Sequence, residues 1–345
     1  MSLSFVPRAS FQALDSLPRS YFLGHHRAGL AKMQTMLSSI NLILECRDYR
    51  IPLSSYNPLF EASLAGKERV VVYTKRDLGT SGQFEEDRRK HDLLRQCHHP
   101  AHVLFCNHKN KRDVSRVLDY ACAHASESTH ALTGSRIFVV GMPNVGKSSL
   151  LNAVRMVGVG KGKAAYTGDQ PGVTRKIASG VKIAEGKPGD EGVYLLDTPG
   201  VFMPYVSDGE TMLKLALCGC VKDTVIPLST MADYLLFHLN LENPALYEDY
   251  CAPTNDVVAF LEGVGRKTGR LKKGGVPDLE ATAIWVVQRW RAGEFGRFML
   301  DEITDEAIAR RQRWEAEQGG SLNQARKAEK AERREKARAK HLGTA

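Results

Sequence analysis

The stretch GMPNVGKSSL, residues 141–150, decides the fold. It follows the apolar run SRIFVV and precedes the helix-like run LLNAV. The pattern G-x-x-x-x-G-K-S between a strand and a helix is typical of a phosphate-binding loop, because its glycines let main-chain N–H groups and the helix N-terminus face a phosphate. We expect Lys147 to reach the β- and γ-phosphates of a nucleotide and the Ser148 hydroxyl to bind Mg²⁺.

A second motif, YLLDTPG at residues 194–200, ends another apolar strand. A D-x-x-G motif at this point predicts that Asp197 holds a Mg²⁺-bound water and that the Gly200 N–H senses the γ-phosphate. Between the two motifs lies GDQPGVTRK, in which Thr174 is the candidate switch threonine for Mg²⁺. The alternative for Thr174 is an ordinary Gly-Pro loop that happens to contain a threonine.

The stretch RVVVYTKRDL, residues 69–78, resembles the Asn-Lys-x-Asp-Leu signature with which GTPases read guanine. We expect Asp77 to accept hydrogen bonds from the guanine N1–H and exocyclic amine, and Lys75 to lie along the base. Thr74 replaces the usual Asn and keeps a hydroxyl, so we expect a weakened but retained preference for guanine. A surface turn with no ligand is the alternative interpretation.

A further base-contacting loop is expected at FCNHK, where Cys106 and Asn107 follow the short strand HVLF. Taken together, the motifs predict a GTP- and GDP-binding site. Its expected nucleotide-binding residues are Thr74, Lys75, Asp77, Cys106, Asn107, Asn144, Val145, Gly146, Lys147, Ser148, Ser149, Thr174, Asp197 and Gly200. Those expected to act in hydrolysis include Lys147, Thr174 and Gly200.

Short apolar strands alternate with helical stretches from residue 40 to residue 200. This alternation predicts an α/β fold, a P-loop GTPase domain with a mostly parallel sheet and helices on both faces. From about residue 240 the sequence pattern changes from alternating strands and helices to apolar helical segments alone, which predicts an all-α C-terminal domain.

The motif order is base signature, base loop, phosphate loop, switch threonine and D-x-x-G, whereas the base signature comes last in an ordinary GTPase. This order, with FLGHHRAGLAKM, CRDYRIPLSSYNPLFE, TGDQPGVTRK, LLDTPGV and the segment Leu271–Asp301, resembles the circularly permuted ribosome-assembly GTPases. That family contains the bacterial large-subunit assembly GTPase and mitochondrial GTPase 1. The resemblance covers roughly residues 22–301, and Thr74, Leu23 and a longer loop before the switch depart from the family pattern.

The resemblance implies a GTPase that binds rRNA of a large ribosomal subunit precursor in the GTP state and leaves after hydrolysis. It implies that His25 positions the attacking water, since Val201 stands where many GTPases have glutamine. It also implies that Asn144 helps to hold K⁺ near the phosphates. We expect slow turnover alone and stimulation by the ribosomal particle. A surface histidine and a simple loop brace are the respective alternatives for His25 and Asn144.

Composition favours a polyanionic partner, because the chain of 345 residues carries a formal net charge of +9. The sequence predicts four parts: a leader at 1–21 compatible with a mitochondrial presequence, the GTPase domain at 22–239, the helical domain at 240–310 and a basic helical tail at 311–345. The candidate RNA-binding residues are Arg266, Lys267, Arg270, Lys272 and Lys273. A solvated charged helix is the alternative for the tail.

No apolar run approaches the roughly 20 residues needed to span a bilayer. The leader and the family resemblance imply a protein of the mitochondrial matrix, and peripheral association with the inner membrane is left open. The segment CHHPAHVLFCNH suggests zinc, but its spacing fits no common zinc pattern. The competing functions are a P-loop ATPase or kinase, against which Asp77 argues, and a nucleotide-gated RNA-binding scaffold with little hydrolysis.

Overall fold

We describe the protein from a computed structural model. The structure describes residues 5–12, 16–21, 24–127, 134–165, 180–186, 191–203, 205–206 and 208–318, with the main chain alone at 61 and 314–318. Within these residues it contains a single mixed sheet with helices on both faces, followed by further helices toward the C-terminus. The predicted fold class is therefore confirmed.

Six strands form the sheet. They are β1 (Leu42–Asp48), β2 (Glu68–Thr74), β3 (His102–Phe105), β4 (Ser135–Gly141), β5 (Val181–Ala184) and β6 (Val193–Asp197). Their order across the sheet is β3-β2-β1-β4-β6-β5, and all neighbours run parallel except β5, which is antiparallel to β6. The central strands β1 and β4 are almost wholly buried, as expected for parallel strands covered on both faces.

The helices follow the chain in the same alternating manner. They are α1 (Gly24–Met36), α2 (Pro58–Ser63), α3 (Arg76–Gly79), α4 (Phe84–His98), α5 (Lys111–Glu127), α6 (Lys147–Val159), α7 (Gly209–Leu217), α8 (Leu228–Glu242), α9 (Val257–Thr268), α10 (Leu279–Ala292) and α11 (Asp305–Gln318). Helices α5 and α6 pack together on one face of the sheet, where Val114, Val117, Leu150 and Val154 are buried in the main core. Helix α1 buries Leu30 and Met33 against Phe138 and Val140 on the other face.

The carboxyl ends of five strands meet at one edge of the sheet. In a parallel sheet this edge is where ligands bind. Here β1 ends at Asp48, β2 at Thr74, β4 at Gly141 and β6 at Asp197, and β3 leads directly into Cys106. The base signature, the base loop, the phosphate loop and D-x-x-G are therefore neighbours in space, although their order in the chain is permuted.

Helices α8, α9 and α10 pack on one another and form the C-terminal helical part. Aspartates begin two of them: Asp256 accepts the Val258 N–H and Asp278 accepts the Ala281 N–H. The predicted start of this part, residue 240, falls inside α8, which begins at Leu228.

The last described helix returns to the sheet. Ile303 and Ile308 are buried with Tyr49, Val71 and Tyr73 of the GTPase domain. The predicted boundary at residue 310 falls inside this helix, α11. Of the predicted basic tail, residues 319–345 lie outside the described residues.

Part of the predicted leader packs on the C-terminal helices. The Arg8 guanidinium binds both carboxylate oxygens of Asp233 on α8, at 2.7 and 3.2 Å, and Phe11 packs edge-on to Tyr234 with ring centroids 5.0 Å apart. Asn255 donates to the Val6 carbonyl at 2.9 Å. Cleavage of a presequence stays a prediction.

Among the helices that the structure describes, none is both long and apolar enough to cross a membrane. The histidines and cysteines that suggested zinc point to separate partners. His98 shares a hydrogen bond with the Tyr73 hydroxyl at 2.8 Å, and His102 stacks on Tyr120. Within the described ranges, no group of three His, Cys, Asp or Glu side chains is arranged to hold a metal ion by itself.

Candidate functional site

The phosphate loop connects β4 to α6 through two glycines in the left-handed region. Gly141 has φ 147°, and a Cβ added there would lie 2.3 Å from the Cys46 carbonyl oxygen. Gly146 has φ 94° and immediately precedes the first residue of α6. These glycines let the loop wrap closely around the N-terminus of α6, which is the arrangement that binds phosphate.

Lys147 is the first residue of α6, and it is 6% exposed. Its ammonium donates to the Met142 carbonyl at 2.7 Å, so that the side chain folds back over the loop. Burial lowers the pKa of Lys147 from its ordinary value, while the Asp197 carboxylate opposes that effect. The ammonium lies where the β- and γ-phosphates of a nucleotide would need a buried cation.

The residues predicted to bind Mg²⁺ are brought together. The Ser148 hydroxyl donates to Asp197 Oδ2 at 2.6 Å, across the gap between the start of α6 and the end of β6. A hydroxyl and a carboxylate beside a phosphate site are oxygen ligands that suit Mg²⁺. The two residues therefore fit this ion. Thr174, the third predicted Mg²⁺ residue, lies outside the described residues.

The D-x-x-G segment lies against the phosphate loop. A Cβ added at Gly200 would lie 2.6 Å from the Pro143 Cα and 3.1 Å from the Lys147 ammonium nitrogen, so only glycine fits there. The next residue, Val201, is fully buried, its N–H donates to the Gly141 carbonyl at 3.2 Å, and its own carbonyl accepts the Asn57 side-chain amide at 2.8 Å. The Val201 side chain belongs to the core and has no part in activating water.

The base signature is tied to the phosphate loop through Thr74 and Lys75. The Thr74 hydroxyl lies in hydrogen-bonding contact with the carbonyls of Val145 and Arg47. Lys75, with φ 54°, donates to the Asn144 carbonyl at 2.6 Å and to Asp48 Oδ2 at 2.9 Å. The side chain that should lie along the base is therefore held by both the phosphate loop and the end of β1.

Asp77 of the base signature lies at the start of α3. Its Oδ1 atom is buried and has no hydrogen-bond partner among the described residues. A buried carboxylate oxygen without a donor costs about 1–3 kcal/mol, so a ligand is its natural partner. The N1–H and amine of guanine are suitable donors. The site thus fits a guanine nucleotide.

The two base-contacting loops are braced by a common carboxylate. Asp113, 3% exposed, pairs with Arg76 at 3.1 Å and accepts the Asn107 N–H at 3.0 Å. The Arg76 N–H donates to the Cys106 carbonyl at 3.3 Å. The Asn107 side chain accepts the Lys109 N–H at 2.9 Å, so it shapes its own turn.

A pocket lies between these loops and α6. Its lining residues are Thr74, Lys75, Cys106, His108, Gly146, Ser149 and Leu150. Five of these seven were predicted from the sequence. Burial raises the pKa of the Cys106 thiol to about 12, so this part of the wall is uncharged.

His25 lies near the site without joining it. It is exposed in the first turn of α1, with its ring centroid 4.1 Å from that of His26. A Cβ added at Gly29 of the same helix would lie 3.5 Å from Pro199 of D-x-x-G, so α1 packs on that motif. The buried neighbour, His26, is close enough to Lys147 for the ammonium to help lower its pKa. A catalytic role for His25 stays a prediction.

Several residues of the site were not predicted from the sequence. Asp48 anchors Lys75, Asn57 anchors Val201, His108 lines the base pocket and Gly219 accepts the Asn144 side-chain amide at 2.9 Å. Asp48 and Asn57 lie in the segment CRDYRIPLSSYNP, whose polar residues directly after a buried strand were the available signal. Gly219 had no such signal because its partner, Asn144, is 75 residues away in the chain.

Comparison with known proteins agrees with this geometry. A family model described as "50S ribosome-binding GTPase" matches residues 136–250. "Mitochondrial GTPase 1" of Schizosaccharomyces pombe is 37% identical over 316 residues, covering 87% of this chain and 94% of the relative. "Mitochondrial ribosome-associated GTPase 1" of Xenopus tropicalis is 33% identical, covering 87% of this chain and all of the relative (100%).

Among solved structures, GNP-bound YlqF from T. maritima matches with a TM-score of 0.53 and 22% sequence identity, covering 80% of this chain and 98% of that one. This likeness concerns the fold. The long curated matches, the guanine site and the permuted order of its motifs lead to one assignment. The chain belongs to the mitochondrial GTPase 1 family of circularly permuted GTPases and hydrolyses GTP to GDP and phosphate.

Proposed function

We propose that this GTPase is an assembly factor for the large subunit of the mitochondrial ribosome, and that it binds rRNA in the GTP state and leaves after hydrolysis. The single observation that best supports the rRNA contact is an exposed basic turn between α9 and α10. Relatives carry the words "mitochondrial" and "ribosome-associated" in their names, which supports the choice of organelle and partner.

The basic turn runs from residue 269 to residue 278. Leu271 pairs with Pro277 in an antiparallel bridge, the Lys272 N–H donates to the Val276 carbonyl at 2.8 Å, and Gly274 and Gly275 form the tip. Exposed cations on a rigid turn can contact an RNA backbone without reading its sequence.

The five predicted RNA-binding residues differ in their surroundings. Lys272 and Lys273 are exposed on the turn, while Arg266 pairs with Glu262 at 2.8 Å. Arg270 lies over the Trp285 ring at 4.4 Å from its centroid. We therefore expect the two lysines, together with exposed Lys267, to contribute most to RNA contact.

The proposal includes Mg²⁺, which Ser148, Asp197 and Thr174 would bind. The ion would neutralise phosphate charge during hydrolysis. We also propose K⁺ near the phosphates, held in part by Asn144, because the family resemblance implies this role for the residue. Lys147 and the Gly200 N–H would bind the γ-phosphate, and His25 would orient water when its helix start closes over the site. We also propose a matrix location, with a peripheral inner-membrane contact as an untested addition.

The proposed function is tested by GTP turnover in K⁺ and in Na⁺, with and without purified mitochondrial large subunits, with ATP as competitor. We expect slow turnover alone, higher turnover in K⁺, stimulation by the large subunit and no competition by ATP. A His25→Ala variant in the same assay should lose the stimulation but keep GTP binding.

The control is the variant K272Q/K273Q, which leaves the nucleotide site unchanged. It should keep the slow basal turnover and need more large subunit for half-maximal stimulation. If large subunits leave wild-type turnover unchanged, the assembly-factor proposal is wrong, and the protein is better described as a nucleotide-gated RNA-binding scaffold. Full stimulation of the His25→Ala variant would remove His25 from the mechanism alone.

A further inference from the structure

Asn144 of the phosphate loop is held from two directions. Its backbone is left-handed, with φ 57°, a conformation that is uncommon for residues other than glycine. Its side-chain amide donates to the Gly219 carbonyl at 2.9 Å, and its own carbonyl accepts the Lys75 ammonium at 2.6 Å. Each of these contacts is supported in turn by a residue of α10: Arg291 for the first and Trp290 for the second.

The first path passes through the end of α7. The guanidinium of Arg291, on the last turn of α10, donates to the carbonyls of Ala216 and Leu217 at 2.8 Å each. Asp223 holds the same guanidinium through two hydrogen bonds of 2.7 and 3.1 Å. Carbonyls at a helix C-terminus lack partners within the helix, so a cation there fixes the end of the helix.

The end of α7 leads directly to Gly219. This glycine has φ 79°, and its N–H donates to the Ala216 carbonyl at 2.8 Å, which turns the chain sharply. A Cβ added here would lie 3.5 Å from the Arg291 guanidinium carbon and 3.6 Å from the Asn144 amide nitrogen. Arg291 and Asn144 therefore both lie beside this one turn, and the arginine helps to set where the Gly219 carbonyl points.

The second path begins at the adjacent residue of α10. The Arg50 guanidinium lies 4.7 Å from the ring centroid of Trp290, and both side chains are almost fully buried. Arg50 binds Asp48 through a 2.8 Å ion pair, and Asp48 binds the Lys75 ammonium that reaches Asn144. Burial alone would raise the pKa of Asp48, but Arg50 and Lys75 outweigh it and hold that pKa below its ordinary value.

We propose that Trp290 and Arg291 are positioning residues for the phosphate loop, acting on Asn144 through Lys75 and Gly219. A displacement of α10 changes both hydrogen bonds of Asn144 together, because the two paths start at neighbouring residues. By linkage, a partner that moves α10 changes guanine-nucleotide affinity, and bound nucleotide changes partner affinity by the same factor. The identity of that partner rests on the proposed function; the coupling inside the chain does not.

The test is equilibrium binding of fluorescent GDP and of a non-hydrolysable GTP analogue to the full chain carrying Arg291→Met. We expect about tenfold weaker binding, within the range typical of coupling between two sites. Hydrogen exchange of residues 142–147 should become faster in the variant. Arg291→Lys keeps the charge but loses the planar fork, so it should give an intermediate loss.

The matched control is Arg8→Met. Arg8 makes a similar bidentate pair with Asp233, but its other contacts are to Asn255, Phe11 and Phe237. It should lower the melting temperature by a similar amount and leave nucleotide affinity unchanged. Equal loss of affinity in Arg8→Met, or none in Arg291→Met, would overturn the proposal.

A double-mutant cycle with Asn144→Ala identifies the route. If Arg291 acts through Asn144, adding Arg291→Met to Asn144→Ala should cost less than about twofold in affinity, since the shared contact is already gone. Additive losses contradict the proposed route. If Arg291→Met does not fold, the same cycle with Arg291→Lys decides the question. Neither outcome depends on ribosomal particles, so failure here is distinct from failure of the assembly-factor proposal.

Discussion

Thr74 stands where the family's guanine signature has asparagine, and its hydroxyl takes over part of the asparagine's structural role. The hydroxyl contacts the carbonyls of Val145 and Arg47, which joins the base signature to the phosphate loop and to the end of β1. A hydroxyl has a single proton and can donate to only one of the two carbonyls at a time. The connection between the loops is retained in this chain, although it is made by a shorter side chain.

Replacing Thr74 with valine keeps the shape and removes the hydroxyl. We expect a loss of about 1 kcal/mol in the free energy of unfolding, because one buried hydrogen bond disappears. Guanine-nucleotide affinity should fall about three- to tenfold as the two loops separate. Denaturant unfolding and nucleotide titration measure the two effects.

The control is Thr282→Val, since Thr282 is also buried and donates to a main-chain carbonyl, that of Asp278 at 2.7 Å. This variant should lower the free energy of unfolding by a similar amount and leave guanine-nucleotide affinity unchanged. If Thr74→Val binds nucleotide as tightly as the wild type, Thr74 does not connect the loops in a way that matters for binding.

His26 should make the stability of the protein depend on pH. Burial, followed by the charges of His25 and Lys147, lowers the pKa of His26 from 6.5 to about 4. Between these two values the unfolded chain binds a proton that the folded chain does not, so folding weakens as pH falls from about 6.5 to about 4. One such group changes the free energy of unfolding by at most about 1.4 kcal/mol per pH unit.

The variant His26→Met tests this effect, because methionine keeps a long apolar side chain at this buried position and has no titratable group. Relative to the wild type, its free energy of unfolding should fall less steeply between pH 6.5 and pH 4. The difference between the two proteins at pH 7.5 serves as the reference, since His26 is neutral there. Parallel pH profiles would show that His26 is not held neutral by burial.

At the scale of elements, the segment after α10 fastens the C-terminal helices to the loop after β1. Asp301 accepts the N–H groups of Leu53 and Ser54 at 2.9 and 2.7 Å and the Ser54 hydroxyl at 2.6 Å. The Leu300 N–H donates to the Arg50 carbonyl at 2.8 Å. These hydrogen bonds join two segments that are far apart in the chain.

Replacing Asp301 with alanine leaves two main-chain N–H groups without an acceptor. We expect the free energy of unfolding to fall by about 2–4 kcal/mol, because each abandoned buried donor costs about 1–3 kcal/mol. Denaturant unfolding is the measurement. The neighbouring substitution Glu302→Gln, at an exposed position, should change stability by less than about 0.5 kcal/mol. Similar losses in both variants would contradict the role of Asp301.

Elements differ in how well the sequence predicts them. The parallel strands β1, β2, β3, β4 and β6 each appear as an apolar run followed by a motif, so their existence and their common edge could be predicted. Strand β5 could not, because only Ile183 among its four residues is buried. The roles of Asp48, Asn57 and Gly219 depend on partners distant in sequence, and local patterns carry no information about such pairs.

At the scale of the whole molecule, permutation changes the chain order and preserves the site. Strands β2 and β3, which lead into the base signature and the base loop, precede β4 and β6, yet these four and β1 run parallel with their carboxyl ends at one edge. Site residues could be predicted because each motif needs only its own strand end. The supports that Asp48 and Gly219 give to Lys75 and Asn144 could not be predicted, since these pairs are distant in sequence.

The brace from α10 has a consequence for the timing of biosynthesis. A ribosome releases the base-reading strands first and the phosphate loop next, but Trp290, Arg291 and Asp301 emerge only near the end of the described chain. A chain interrupted before α10 would present all the guanine motifs, but the end of α7 and Arg50 would lack their contacts with Arg291 and Trp290. Firm retention of guanine nucleotide should thus begin only after α10 has been synthesised, so that nucleotide occupancy reports the presence of this helix.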